Sequence, residues 1–126
     1  MSKNFLVNFI LLIWTQVIAE VVYCQMTPFK PSVVYDHTAT YIDNKLYILS
    51  GVNLKGEYIG KEFFYLDVSV PFNTQQLLWH DLTNINMLPP HGSAASAKGG
   101  ENNDTIILCG GYTSDNIMAL IYTFAL

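Results

Sequence analysis

The chain has 126 residues, 51% of them apolar and only 13% charged, with a formal net charge of −4. This length sets one compact domain as the ceiling, and this composition excludes a disordered chain. All six basic residues are lysines, which argues against a nucleic-acid binder, because neutralising phosphates takes a basic face and arginine usually reads the bases.

The N-terminal stretch differs from the rest. Lys3 precedes a largely apolar run from Phe5 to Trp14 that continues through Val17, Ile18 and Ala19. A positive start, an apolar middle and a small-residue exit form the pattern of a secretory signal peptide, and residues 1–24 are read as one, an apolar signal helix. Cleavage before Glu20 and cleavage before Gln25 both fit. The second is favoured, because residues 25–35 read as an extended linker. The alternative is an uncleaved membrane anchor. A spanning helix needs about 20 apolar residues, and the stretch from Phe5 to Tyr23 contains Asn8, Thr15, Gln16 and Glu20. Lys3 keeps the extreme N-terminus cytoplasmic in either case. The remainder is thus expected to be secreted, or exterior-facing on a membrane if the segment stays.

Two cysteines occur, Cys24 and Cys109. A cut after Cys24 leaves one thiol and no internal disulfide. Cys109 follows three aliphatic residues and is expected to be a small buried hydrophobe. Neither cysteine has a partner at metal-ligand spacing.

From His37 onward the chain reads as strands. His37–Ile42 is rich in β-branched and aromatic residues, Asp43–Lys45 supplies a tight turn, and Leu46–Leu49 resumes, which predicts a hairpin. Ser50 and Gly51 break it, and Val52–Lys61 reads as a loop. Glu62–Val68 and Leu77–Leu82 are the third and fourth strands. The order then begins again: His91–Ser96 matches the opening around His37, Thr105–Gly111 matches Lys45–Gly51, and Leu120–Phe124 matches the third strand. Six extra residues are placed in the second hairpin turn, at Gly99–Asp104. The units are residues 36–84 and 90–126, the second stopping before a fourth strand. In the second strand Leu46 and Ile48 face one way and Tyr47 and Leu49 the other, and both sets are apolar. Such a strand must be covered on each side, so stacked sheets are expected rather than one sheet open to water.

The markers Ser50, Gly51, Tyr65 and Trp79 in the first unit, and Gly110, Gly111 and Tyr122 in the second, resemble kelch repeats of about 50 residues. The wording of His37–Leu49 and of Phe64–Ser69 is similar to secreted fungal kelch proteins, which are often grouped with the central domain of galactose oxidase. The resemblance covers Val34–Leu126 and implies an all-β, kelch-type β-propeller fragment: one complete four-stranded blade plus most of a second. Propellers close with about 4–8 blades, so a longer propeller, a shortened copy without function, or self-association through the open blade edge is implied.

His37 and His91 occupy matching places in the two units. A metal or acid–base pair is one reading; local hydrogen bonding at the start of each unit is the other, and a recurring residue in a repeat usually serves the repeat. His80, beside Trp79, is expected at the solvent. Copper-oxidase chemistry, as the galactose-oxidase likeness implies, needs tyrosines, histidines and a cysteine. Tyr47, Tyr65, Tyr122 and Cys109 are present as residue types but match no ligand motif, and fold likeness does not carry activity. A nucleophile elbow and a phosphate-cradling glycine loop both fail on spacing. No catalytic group, cofactor or metal is therefore assigned. Asn103, followed by Asp104 and Thr105, fits the acceptor pattern for N-glycosylation. The expected activity is non-enzymatic recognition of a protein or glycan through loops that, as the kelch resemblance implies, project from one end of the blades: Val52–Lys61, Ser69–Gln76 and Tyr112–Asn116. The alternative is a piece of a secreted copper oxidase.

Overall fold

The computed structural model describes residues 5, 7–14, 28–113 and 121–126. Residues 7–14 are helical, and no helix among the described residues is long and apolar enough to cross a membrane. Both expected cleavage points, and Cys24, lie outside the described residues. The rest is all-β: β1 (Val34–Tyr35), β2 (Thr38–Ile42), β3 (Lys45–Leu49), β4 (Val52–Asn53), β5 (Phe63–Asp67), β6 (Trp79–Asp81), β7 (Ala95–Gly99), β8 (Thr105–Cys109) and β9 (Ile121–Ala125). They form a two-stranded ribbon β1–β4, a four-stranded sheet in the order β2–β3–β5–β6, and a three-stranded sheet β7–β8–β9. All pairings are antiparallel, and the described sheets are open.

Local chemistry sets these elements. Asp43 and Asn44 both have positive φ, 46° and 59°, the backbone of a two-residue type I′ hairpin, which suits short polar side chains. The Tyr41 hydroxyl donates to Asn44 Oδ1 at 2.8 Å. Across the first sheet, Thr40, Tyr47, Tyr65 and His80 stand in one row on its front, and Tyr41, Leu46, Leu66 and Trp79 in one row on its back. Both faces are buried in the middle: Tyr47, Leu49 and Phe63 in front, Ile48, Phe64 and Leu66 behind.

The front of the first sheet is covered by the back of the second. Ile106 and Leu108 join Ile42, Tyr47, Leu49, Phe63 and Leu88 in one core, with Tyr122 and Phe124 packed against it. The Phe63 and Phe124 rings meet edge to face at 5.1 Å, and the Thr40 hydroxyl donates to Ser96 Oγ at 2.6 Å across the same interface. Fully burying one such side chain contributes about 1.5–3 kcal/mol, so neither sheet holds its inner face without the other. Behind the first sheet, Phe29 lies 5.7 Å from Phe64, and Trp79 meets Phe64 edge-on at 5.2 Å.

The register corrects the alignment of the two units. Asp36 (φ 55°) answers to Ser93 (φ 56°), Thr38 to Ala95 and Lys45 to Thr105. The offset is therefore 57 positions before the hairpin turn and 60 after it, so three residues are inserted there rather than six. A Cβ on Gly51 would meet the Tyr35 carbonyl and His37 Cβ; on Gly111 it would meet the Gly92 carbonyl and Ala94 Cβ. His37 thus corresponds to Ala94, and His91 to Val34; the two histidines are not equivalent. Tyr122, opposite Leu108, answers to Phe64 rather than to Tyr65. Strand β7 begins four residues later than expected, because His91–Ala94 is spent on the bridge between Gly92 and Tyr112 and on the left-handed Ser93. Cys109 is exposed rather than buried: it stands on the outer face of the second sheet, and among the described residues only the inner face of that sheet is covered. Residues 25–35, expected as linker, include β1.

Because Phe63 contacts both sheets, Phe63→Ala is expected to cost about 3–5 kcal/mol in urea unfolding, with loss of protection in β8 as well as in β3.

Candidate functional site

Strand polarity sorts the loops between two ends. The β3–β5 loop, the β6–β7 connection and the segment after β8 emerge at one end; the β5–β6 loop and both hairpin turns emerge at the other. Val52–Lys61 and the described part of Tyr112–Asn116 therefore share an end, residues 114–116 lying outside the described residues. Ser69–Gln76, expected beside them, lies at the opposite end with Asn103, which is exposed with φ 56°.

The shared end is tied together at Ser50. Its φ of 55° is left-handed, as is that of its counterpart Gly110 at 67°. A serine there carries strain that glycine avoids, but its hydroxyl does what glycine has no atoms for. It is completely buried, donates to the His91 carbonyl at 2.8 Å, lies 3.0 Å from the Ile59 carbonyl, and accepts from the His91 N–H at 3.0 Å. The Gly51 N–H donates to the His91 carbonyl at 2.9 Å, and the Ser93 N–H to the Asp36 carbonyl at 2.9 Å. These bonds fix the β3–β5 loop of the first sheet against the entry to the second.

His91 is itself completely buried. Its Nδ1 lies 2.8 Å from the Pro89 carbonyl, which assigns the proton to Nδ1 and leaves Nε2, buried and without a partner among the described residues, as an acceptor. Burial holds the ring's pKa below its ordinary value of 6.5, opposed by the bond to Pro89.

The loop from Val52 to Ile59 is an ordered hairpin. Asn53 Oδ1 accepts from the N–H groups of Lys55 and Glu57, and Asn53 Nδ2 donates to Glu57 Oε2 at 2.8 Å. Gly92 allows close approach: a Cβ there would meet Val52 at 2.9 Å and Tyr58 at 3.2 Å. Large apolar side chains project from this pinned frame, with Leu54 80%, Met87 92% and Tyr112 70% exposed.

A separate trough of about 900 Å³ flanks β6, walled by Phe29, Tyr65, Trp79, His80 and Asp81. His80 is exposed, as expected, and stacks on Tyr65 at 4.6 Å; the Lys45 ammonium lies 5.1 Å from the same ring. Burial raises the Tyr47 pKa, with Tyr65 and Asp43 adding to the effect. At the far end, hydrogen bonds from the Ser69 hydroxyl and N–H hold the Asp67 carboxyl below its usual range.

The tyrosines and the cysteine considered for copper do not converge. Tyr47 lies in the core between the sheets with Tyr65 and Tyr122 packed against that core, whereas Cys109 stands on the opposite face of the second sheet from Tyr122. Among the described residues no three His, Cys, Asp or Glu side chains come together as a metal site. The sequence pattern marks Ser50 only as part of a repeat signature and gives no sign of its hydrogen bonds, because a lone buried serine beside glycine carries no periodic signal. Left-handed Asp36 and Ser93 are residue types that favour turns, and they were the available cue to the ends of the loops.

No family model matches the chain, and no curated protein matches it. A solved structure described as "Structure of YjhT" is similar at a TM-score of 0.48 and 18% identity, over 64% of this chain and 21% of that one. The chain spans about a fifth of the length of that structure. Beyond the N-terminal helix, the described residues form an all-β fold of stacked antiparallel sheets.

Two outcomes follow from the Ser50–His91 junction. Ser50→Ala leaves the buried His91 N–H without its acceptor and is expected to cost about 1–3 kcal/mol in urea unfolding. The unfolded chain binds a proton at His91 as pH falls through 6.5 while the folded ring resists it, so stability is full above that pH and falls below it. Between about pH 7.5 and 5.5 the wild-type midpoint is expected to fall more steeply than that of His91→Asn, whose amide also donates but does not titrate.

Proposed function

We propose that the chain is a kelch-type recognition module, secreted or exterior-facing, that binds a protein or glycan through the loop end at Leu54, Met87 and Tyr112 and carries out no chemistry. The observation that carries this reading is the combination at one end of the sheets: exposed large side chains on a frame pinned by Ser50 and His91. Leu54, Met87 and Tyr112 emerge at the same end of the sheets, and loops on a rigid scaffold are the usual seat of binding. A frame that is ordered beforehand lowers the entropy lost on association. The apolar N-terminal run with Lys3 supports export, and the repeated order of strands ending in Ser50–Gly51 and Gly110–Gly111 supports the kelch reading.

The experiment is saturable binding to a panel of immobilised oligosaccharides and extracellular protein domains. A double change, Leu54→Ser with Tyr112→Ser, is expected to weaken any such binding at least about tenfold, the effect of losing roughly 1.4 kcal/mol. Val70→Ser with Phe72→Ser, at the opposite end, is expected to leave it unchanged. Equal losses from the two ends, or no saturable binding across the panel, would contradict the reading.

A further inference from the structure

The outer face of the second sheet has a chemical description that points to its occupant. Ala95, Ala97, Ile107, Cys109, Ile121 and Thr123 stand on it. None is charged, Cys109 is exposed and Ile121 is 61% exposed. By the register, Ala97 answers to Thr40, Ile107 to Tyr47, Cys109 to Leu49 and Ile121 to Phe63. Those four are the front of the first sheet, the surface on which the second sheet sits.

The surface that seats there is the back of a sheet, and the chain carries two of them. The back of the second sheet reads Ile106, Leu108, Tyr122 and Phe124; the back of the first reads Leu46, Ile48, Phe64 and Leu66 at the corresponding positions. The match is aliphatic for aliphatic at two positions, aromatic for aromatic at a third, and leucine for phenylalanine at the fourth. The first back is buried at Ile48, Phe64 and Leu66, with Phe29 over Phe64, and open at its rim, where Tyr41 is 52% exposed and Leu46 and Trp79 are half-buried.

The geometry points to head-to-tail self-association, in which the front of the second sheet of one copy receives the back of the first sheet of another copy. The contact continues the sheet-on-sheet interface already present within the chain. Phe29, over Phe64, must move aside for full docking. Because the two surfaces differ, the contact is heterologous and propagates into rings or open chains rather than stopping at a symmetric pair. This inference does not depend on the loop end having a ligand.

Sedimentation of the 126-residue chain under reducing conditions, with Ala97→Lys and Tyr41→Lys variants, tests it. Both sites are exposed, and unchanged melting confirms folding of each variant. The wild type is expected to exceed the single-chain mass of 14.2 kDa increasingly with concentration and to slow alkylation of Cys109 as it does so. Each variant alone is expected to sediment as a single chain. An equimolar mixture is expected to form pairs and nothing larger, since only one productive contact remains. A wild type that stays at the single-chain mass with Cys109 freely alkylated would overturn the inference. So would loss of assembly in Ala97→Lys but not in Tyr41→Lys, the signature of a front-to-front pair, or a mixture that fails to associate.

Discussion

Strands β3 and β5 are apolar on both faces, and that constraint organises the molecule. Alternation along a strand sends neighbouring side chains to opposite sides, so Leu49 and Ile48, or Phe63 and Phe64, cannot be buried by one partner. The front set is met by Ile106, Leu108 and Phe124 of the second sheet; the back set is met in part by Phe29 and Trp79. Stacking is therefore a requirement of the sequence rather than an accident of packing. The same requirement, applied to the outer face of the second sheet, leaves exposed the surface that carries Cys109 and Ile121.

The loop end inherits its rigidity from this stacking. Two sheets held face to face bring the exit of β3 beside the entry to β7, where Ser50 and His91 share reciprocal hydrogen bonds in a dry environment. Low local dielectric strengthens such bonds and makes their loss costly. The left-handed conformation of Ser50 is strain retained at the one place where its hydroxyl links the two units. Exposed Leu54 and Tyr112 thus project from a frame whose position is set by the core.

Much of the fold was legible in the sequence. Strands β2, β3, β5 and β8 are dense in β-branched, aromatic or aliphatic residues, and the Asp43–Asn44 turn is written in residues that accept positive φ. The less legible elements have physical reasons. Strand β7, with its alanines, serine, lysine and glycine, has little β-propensity and is held by pairing to β8. Its Gly99 belongs inside the strand because a Cβ there would strike Ile107. The two histidines look equivalent in sequence because each stands at the start of a unit, yet pairing register, not residue identity, decides equivalence; a shift of one residue also puts Tyr122 on the opposite face from Tyr65. The loop end was read as including Ser69–Gln76, because sequence order alone does not display strand polarity. Aliphatic neighbours suggest a buried Cys109, but among the described residues only one face of its sheet is covered.

Hydrogen exchange at native conditions tests the central claim, that the two sheets share one core and unfold as one unit. The account predicts that the slowest amides of β3, β5 and β8 exchange with a common free energy, and that Phe124→Leu lowers all of them together. Amides of β8 that open at much lower free energy while β3 and β5 stay protected, or a Phe124→Leu effect confined to the second sheet, would contradict it.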